Sequence, residues 1–305
     1  MEETTSIRSL TKSLVDEIFA GMGESGRLWS RQVLKPLIWL ASRRFAGIAS
    51  RIDGEIERAG FRQGMRRLLP NFISGYETSG VETVPPEGPL LVVSNHPGTV
   101  DSLLIAASLP RDDLKIFATG FSFLKQLPAT SQHLIFSSRE TSDRMMALRR
   151  AIRQLQEGAA LLIFPSGNID PDPAVLPGAE LRLSAWSPSV ELMLKKVPDA
   201  QVLVTIVSGV LSQKWMDSPI MRIWKDQLAR QNVAGTAQVI RQLVLPSRLS
   251  VTPKVSFGTP LVWDQLQRYT AINKLDEIIA NARQLLSTHT REWGNDNTPH
   301  PADST

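Results

Sequence analysis

Three short, unbroken apolar runs constrain this chain more than any other feature: Pro89-Leu-Leu-Val-Val-Ser94, Ala159-Ala-Leu-Leu-Ile-Phe164 and Gln201-Val-Leu-Val-Thr-Ile-Val207. Each is too short for a buried helix and apolar at consecutive positions, so each reads as a strand covered on both faces. Between them lie stretches with helical spacing: residues 102–109, closed by Pro110, residues 144–157, stopped by Gly158, and residues 181–195. Residues 114–118, 134–137 and 251–258 supply further strand candidates, and residues 264–288 a closing helix. This alternation predicts an α/β fold, a mixed and largely parallel sheet flanked by helices.

The first 75 residues differ: they read as helical and basic. From Arg27 to Arg67 ten Arg and Lys stand against three acidic residues, an excess of +7, larger than the +4 of the whole chain. Trp29, Trp39 and Phe45 sit among those arginines, and Pro36 marks a kink or a new first turn. Indoles favour a headgroup boundary and cations meet anionic lipid, so this segment is expected to face a membrane surface; a helix packed on its own domain with a solvated basic face fits the pattern equally. The expected organisation is therefore 1–75 helical, 76–293 α/β with a Trp- and Arg-rich insertion at about 212–248, and 294–305 a disordered tail. No stretch approaches the roughly 20 apolar residues of a membrane span, and nothing marks a secretory signal, which points to a peripheral protein on the cytoplasmic side. With zero Cys, thiolate nucleophiles, disulfides and Cys-held metals are excluded, and four scattered His residues suggest no metal cluster. No nucleic-acid-binding motif accompanies the basic stretch, so nucleic acid is not an expected partner.

Open α/β sheets place their sites in the loops that follow strands. Two such loops stand out, Asn95-His96-Pro97-Gly98-Thr99-Val100-Asp101 and Phe164-Pro165-Ser166-Gly167-Asn168. With His96 in the loop and Asp101 in the first turn of the next helix, the carboxylate can accept from one imidazole nitrogen and leave the other as a base. The plainer reading is a helix-terminal carboxylate beside a solvated histidine.

Asn95-His96 followed by Asp101 resembles the first block of the PlsC-type glycerolipid acyltransferases, the lysophosphatidic acid acyltransferase superfamily. Phe136-Ser137-Ser138-Arg139 is similar to that family's second block, Phe164-Pro165-Ser166-Gly167 to its third and Val204-Thr205-Ile206-Val207 to its fourth. The resemblance runs from about Tyr76 to Leu261. It implies that His96 is the general base toward an acceptor hydroxyl, that Asp101 orients it, and that an acyl-CoA or acyl carrier protein thioester is co-substrate, with no cofactor or metal. Asn95, Arg139, Ser166, Gly167 and Arg182 are the implied substrate-binding residues, backbone N–H groups of the Gly167 loop being candidates for the oxyanion. The third block departs from the family: Ser166 stands for Glu, Asn168 for Thr and Ile169 for Arg, and in the fourth Ser208 stands for Pro. The expected acceptor is of the lysophosphatidic acid type; a non-phosphate lipid alcohol, or an inactive lipid-binding module, are the alternatives those departures suggest.

Overall fold

The computed structural model describes residues 2–21, 28–98, 100–119, 122–138, 140–245, 251–262 and 274–294. Arg139 and the expected tail from 295 onward lie outside the described residues, as does the expected start of the closing helix, and of Trp29 only the backbone is described.

In chain order the elements are α1 (Glu2–Gly21), α2 (Leu28–Ala59), α3 (Phe61–Leu68), β1 (Glu77–Ser79), β2 (Leu90–Ser94), α4 (Asp101–Ser108), β3 (Lys115–Thr119), α5 (Pro128–Ser131), β4 (Leu134–Ser137), α6 (Thr141–Gln156), β5 (Ala160–Ile163), α7 (Ala179–Leu183), α8 (Ser189–Lys196), β6 (Gln201–Ser208), α9 (Gln213–Met216), α10 (Gln227–Val244), β7 (Lys254–Phe257) and α11 (Lys274–Trp293). One sheet takes the seven strands in the order β1-β7-β6-β2-β5-β3-β4. Neighbours from β6 to β4 pair in parallel; β7 runs antiparallel to β6 and carries β1 parallel to itself. The mixed, largely parallel α/β sheet expected from the apolar runs is the observed fold.

The apolar runs are continuous because alternate residues serve two separate cores. Leu90, Val92, Ala160, Leu162, Leu203 and Val207 face one core with α2, α3, α4 and α10. Leu91, Val93, Leu161, Ile163, Val204 and Ile206 face the other with α6, α7, α8 and α11. A period of two along a strand gives each face its own apolar row, and each such side chain contributes roughly 1.5–3 kcal/mol by leaving water. Truncating Leu91 or Leu162 to Ala removes that burial and leaves a cavity, at a cost of about 2–5 kcal/mol.

Two local expectations change. Residues 181–195 form two helices, because Pro188 cannot continue α7 and begins α8 with the turn at 184–188 between them. Helix α2 runs through Pro36 without starting anew. The N-terminal helices dock on the α/β domain: Leu10, Leu14, Ala46 and Ala49 pack with Phe123 and Leu127, and Asp53 accepts from the Thr130 N–H and hydroxyl, both at 2.7 Å. Further toward its N-terminus, α2 leaves Leu34, Leu37, Trp39 and Leu40 exposed. The packed-helix reading describes one face of α2. Among the described residues no helix is long and apolar enough to cross a membrane.

Candidate active site

Strand register decides where the two candidate loops meet. β2 and β5 are paired from Leu90↔Ala160 to Val93↔Ile163, so the chain leaves both strands side by side at the same sheet edge. The His96 ring consequently stacks on the Phe164 ring, centroids 4.2 Å apart and planes 21° from parallel.

His96 Nδ1 lies 2.7 Å from Asp101 Oδ2. A carboxylate there accepts, so Nδ1 carries the hydrogen and Nε2 keeps its lone pair. Asp101 opens α4, and its carboxylate also accepts from the Gly98 N–H at 2.8 Å and the Ser102 N–H at 2.6 Å. Three donors on one buried carboxylate fix its position, and through it the imidazole plane. The His96 side chain is 28% exposed and the Asp101 side chain 2%, so the pair has a buried orienting end and an accessible basic end. Burial alone would lower the His96 pKa; the adjacent Asp101 charge and hydrogen bond, with Asp170 behind them, outweigh it and hold the pKa above 6.5. Gly98 has φ 95°, and a side chain there would press on Ile169 at 3.2 Å, so both backbone conformation and space call for glycine.

A second carboxylate, singled out by no sequence motif, holds the two loops together. Asp170 Oδ2 accepts from the His96 N–H at 3.0 Å and from the Ser166 hydroxyl at 3.1 Å, and the Asp170 N–H returns a bond to the His96 carbonyl at 2.7 Å. Its Oδ1 faces Arg182 Nε at 3.4 Å. Burial pushes the Asp170 pKa up against these opposing bonds. Asp172, fully buried and also raised by burial, accepts from the N–H groups of Ala174, Gly209, Val210 and Leu211. From α10, Gln231 Nε2 donates to the Pro97 carbonyl at 3.0 Å and the Asp170 carbonyl at 2.8 Å, while its Oε1 accepts from the Asp172 N–H. Gln231 is a buried polar residue on an amphipathic helix, and that pattern alone was the available signal for it.

The structure brings His96, Asp101, Ser166, Gly167 and Arg182 to this corner. Three roles implied by resemblance change in detail. The Asn95 side chain is buried and bonded at both ends to the Val207 backbone, Nδ2 to its carbonyl at 2.9 Å and Oδ1 to its N–H at 2.8 Å, so it ties β2 to β6. The Gly167 N–H donates to the Phe164 carbonyl at 3.0 Å and closes a turn, which takes it from the set of oxyanion donors. Ser166 Oγ is engaged by the Asn168 carbonyl and Asp170. Among the described residues no group of three or more His, Cys, Asp or Glu is arranged to hold a metal.

The model of the Acyltransferase family matches residues 76–185. No curated protein matches the chain. Among solved structures, the 1-acyl-sn-glycerophosphate (LPA) acyltransferase PlsC from Thermotoga maritima is similar at 16% identity and a TM-score of 0.48, over 95% of this chain and 96% of that one. Residues 76–185, which place His96, Asp101, Asp170 and Arg182 at the ends of β2 and β5, carry an acyltransferase-type domain.

Proposed function

We propose that the protein is a peripheral membrane O-acyltransferase that moves a fatty acyl group from an acyl-CoA or acyl carrier protein thioester to a lipid hydroxyl. The observation that carries this reading is the accessible imidazole fixed by a buried carboxylate at 2.7 Å inside the matched domain. His96 Nε2 removes the acceptor hydroxyl proton as the oxygen bonds to the thioester carbon. The tetrahedral intermediate collapses by breaking the C–S bond, and the leaving thiolate takes the proton back from the imidazolium. A positioned base of this kind contributes about 10²- to 10⁴-fold. No protein nucleophile is needed.

The acceptor in this reading is of the lysophosphatidic acid type, with Arg139 and Arg182 as its phosphate ligands. Arg182 is half-buried beside the catalytic corner and, among the described residues, its guanidinium is held by one 3.4 Å contact to Asp170, so it can turn to a phosphate. One observation favours a non-phosphate lipid alcohol instead: Ile169 stands where resemblance expects an arginine, and it packs toward Gly98. Location at the cytoplasmic face is part of this reading, and the exposed Trp39 with its arginine neighbours, which suit an anionic lipid surface, supports it. A thioester-release assay against a panel of lysophosphatidic acid, neutral lipid alcohols and amino-lipids tests the reading. Lysophosphatidate turnover lost with Arg182→Ala supports it; turnover only with uncharged alcohols assigns the alternative acceptor, and release with no acceptor at all rejects acyl transfer.

A further inference from the structure

Away from the active site, the outward side of α2 meets the end of α10 in a groove of about 470 Å³. On α2 its wall is formed by Leu40, Arg43, Arg44, Gly47, Ile48 and Arg51, the 3- and 4-residue steps of one helix face. Asn71 and, on α10, Gln242 and Leu243 complete it, so among the described residues no acidic side chain lines the groove. Gln231, which holds the catalytic loop, and Gln242 are eleven residues apart on α10, about 16 Å along the axis. The groove is therefore a separate place, and the mechanism uses none of its residues.

Its polar groups are arranged unevenly. Arg44 Nη1 donates to the carbonyls of Leu243 at 3.0 Å and Val244 at 2.8 Å, capping α10 and fixing a charge on the groove wall. Arg43 lies over the Trp39 ring at 5.4 Å. Arg51 is exposed with no ion-pair partner among the described residues. Gln242 makes no side-chain hydrogen bond among the described residues, and its amide borders the groove. Its amide is therefore open to a ligand that offers acceptors. Gly47 leaves the middle open, since a side-chain carbon added there would touch nothing within 4 Å. Leading out of the groove, Trp39 and Leu40 join Leu37 and Leu34 in an exposed apolar strip on the same helix.

We infer that this groove between α2 and α10 is a discrete binding site for the phosphate-bearing headgroup of an anionic bilayer phospholipid, its acyl chains lying along the exposed strip of α2. Three guanidiniums and two amides match phosphate oxygens, which the paired N–H groups of arginine suit best. The apolar exit matches a lipid and not a free anion. This goes beyond attraction of a basic face, because it requires a shape as well as a charge.

Gly47→Leu separates the two. It fills the groove and leaves every arginine in place, and in mid-helix a leucine is better tolerated than glycine. Co-sedimentation with phosphatidylcholine vesicles, with and without phosphatidylglycerol, is the measurement, and thermal melts confirm that each variant is folded. Gly47→Leu should weaken binding to phosphatidylglycerol vesicles about tenfold and leave weak binding to pure phosphatidylcholine unchanged. Arg51→Gln should lose more than Arg58→Gln, whose arginine lies outside the groove and is paired with Glu55. Wild-type affinity in Gly47→Leu, or equal losses at Arg51 and Arg58, reduces the face to diffuse charge and overturns the site. Displacement of the protein from vesicles by inorganic phosphate at matched ionic strength would show a soluble anion to be the ligand and overturn the lipid assignment. None of these readouts depends on acyl transfer, so the site and the catalytic reading stand or fall separately.

Discussion

The catalytic corner and the outward face of α2 are built on opposite rules. Around His96 the polar groups are matched: Asp101 takes three donors, Asp170 joins both loops, Asp172 accepts from four backbone N–H groups and Gln231 bridges Pro97, Asp170 and Asp172. Along the groove between α2 and α10, Arg43, Arg44 and Arg51 have no acidic partner among the described residues, the Trp39 indole lies under Arg43, and the Gln242 amide makes no bond there. The first region is complete without a ligand and holds one basic nitrogen in a defined direction. The second is complete only when something else supplies anions and apolar surface. Pre-organisation marks chemistry, and unmet valence marks association.

The largest test of that contrast lies at the corner. His96→Ala should reduce kcat/KM for acyl transfer by about 10²- to 10⁴-fold with little change in melting temperature, since its side chain is partly exposed. Wild-type turnover in the purified variant would end the mechanism. Because His96 titrates above 6.5 and must be neutral to act, kcat/KM should climb with pH through that raised value. Asp101→Asn should cut activity comparably and move the residual limb to lower pH, because the charge that holds the imidazole pKa up is gone. A limb that stays in place would place the titration elsewhere.

A second histidine sharpens the comparison from within the core. His289 on α11 is 1% exposed and bridges two hydroxyls, with Ser208 at Nε2 and Ser256 at Nδ1, both at 2.7 Å. It resembles a serine–histidine pair on paper, but no carboxylate orients it and no solvent reaches it. Burial, with Lys254 nearby, lowers its pKa from 6.5 to about 4. A lowered histidine binds fewer protons folded than unfolded, so its contribution is intact above 6.5 and declines as pH falls from 6.5 toward 4. At about 1.4 kcal/mol per pH unit the full loss is roughly 3 kcal/mol. His96 works oppositely, adding stability below its unfolded pKa that is lost as pH rises through the folded one. The raised Asp170 and Asp172 also oppose His289 at acid pH, so the contribution is read as a difference. His289→Gln, which retains hydrogen-bonding atoms, should flatten the fall in unfolding free energy between pH 6.5 and 4 relative to wild type. Parallel curves would show that His289 does not resist protonation.

Smaller, and informative about how the site could have been foreseen, is Gln231. Gln231→Leu keeps the shape and strands the Pro97 and Asp170 carbonyls and the Asp172 N–H, at about 1–3 kcal/mol for each buried group that water cannot reach. Activity should fall about tenfold as the loop loosens, and an unchanged melt and turnover would remove Gln231 from the positioning set. The sequence could reveal His96 and Asp101 because a strand, a loop and a helix start bracket them within a few residues. It could reveal the sheet because runs such as Leu90–Val93 are apolar on both faces. It could not reveal Gln231, since the 61 positions separating it from Asp170 are closed only by how α10 packs. The tie made by Asn95 was hidden for the same reason: its partner, Val207, lies 112 residues away on a neighbouring strand. The break at Pro188 was legible in principle, but helical spacing on both sides hid it.

The smallest expected effect completes the contrast on α2. Trp39 is 46% exposed and touches chiefly Arg43, whereas Phe61 on α3 is 2% exposed and stacks on His133 with centroids 4.1 Å apart. Phe61→Ala removes a large buried ring and should cost about 3–5 kcal/mol. Trp39→Ala removes a larger side chain but little buried area, and should change unfolding free energy by no more than about 0.5 kcal/mol. Its effect should appear instead as weaker partition onto vesicles, because an indole at the headgroup boundary stabilises association and not folding. Chemical denaturation of both variants beside vesicle co-sedimentation measures this directly. If Trp39→Ala melts like Phe61→Ala, the outward face of α2 is packed in solution. If it neither destabilises the fold nor weakens partition, the exposed strip has no part in membrane contact, and attraction to the bilayer rests on the arginines alone.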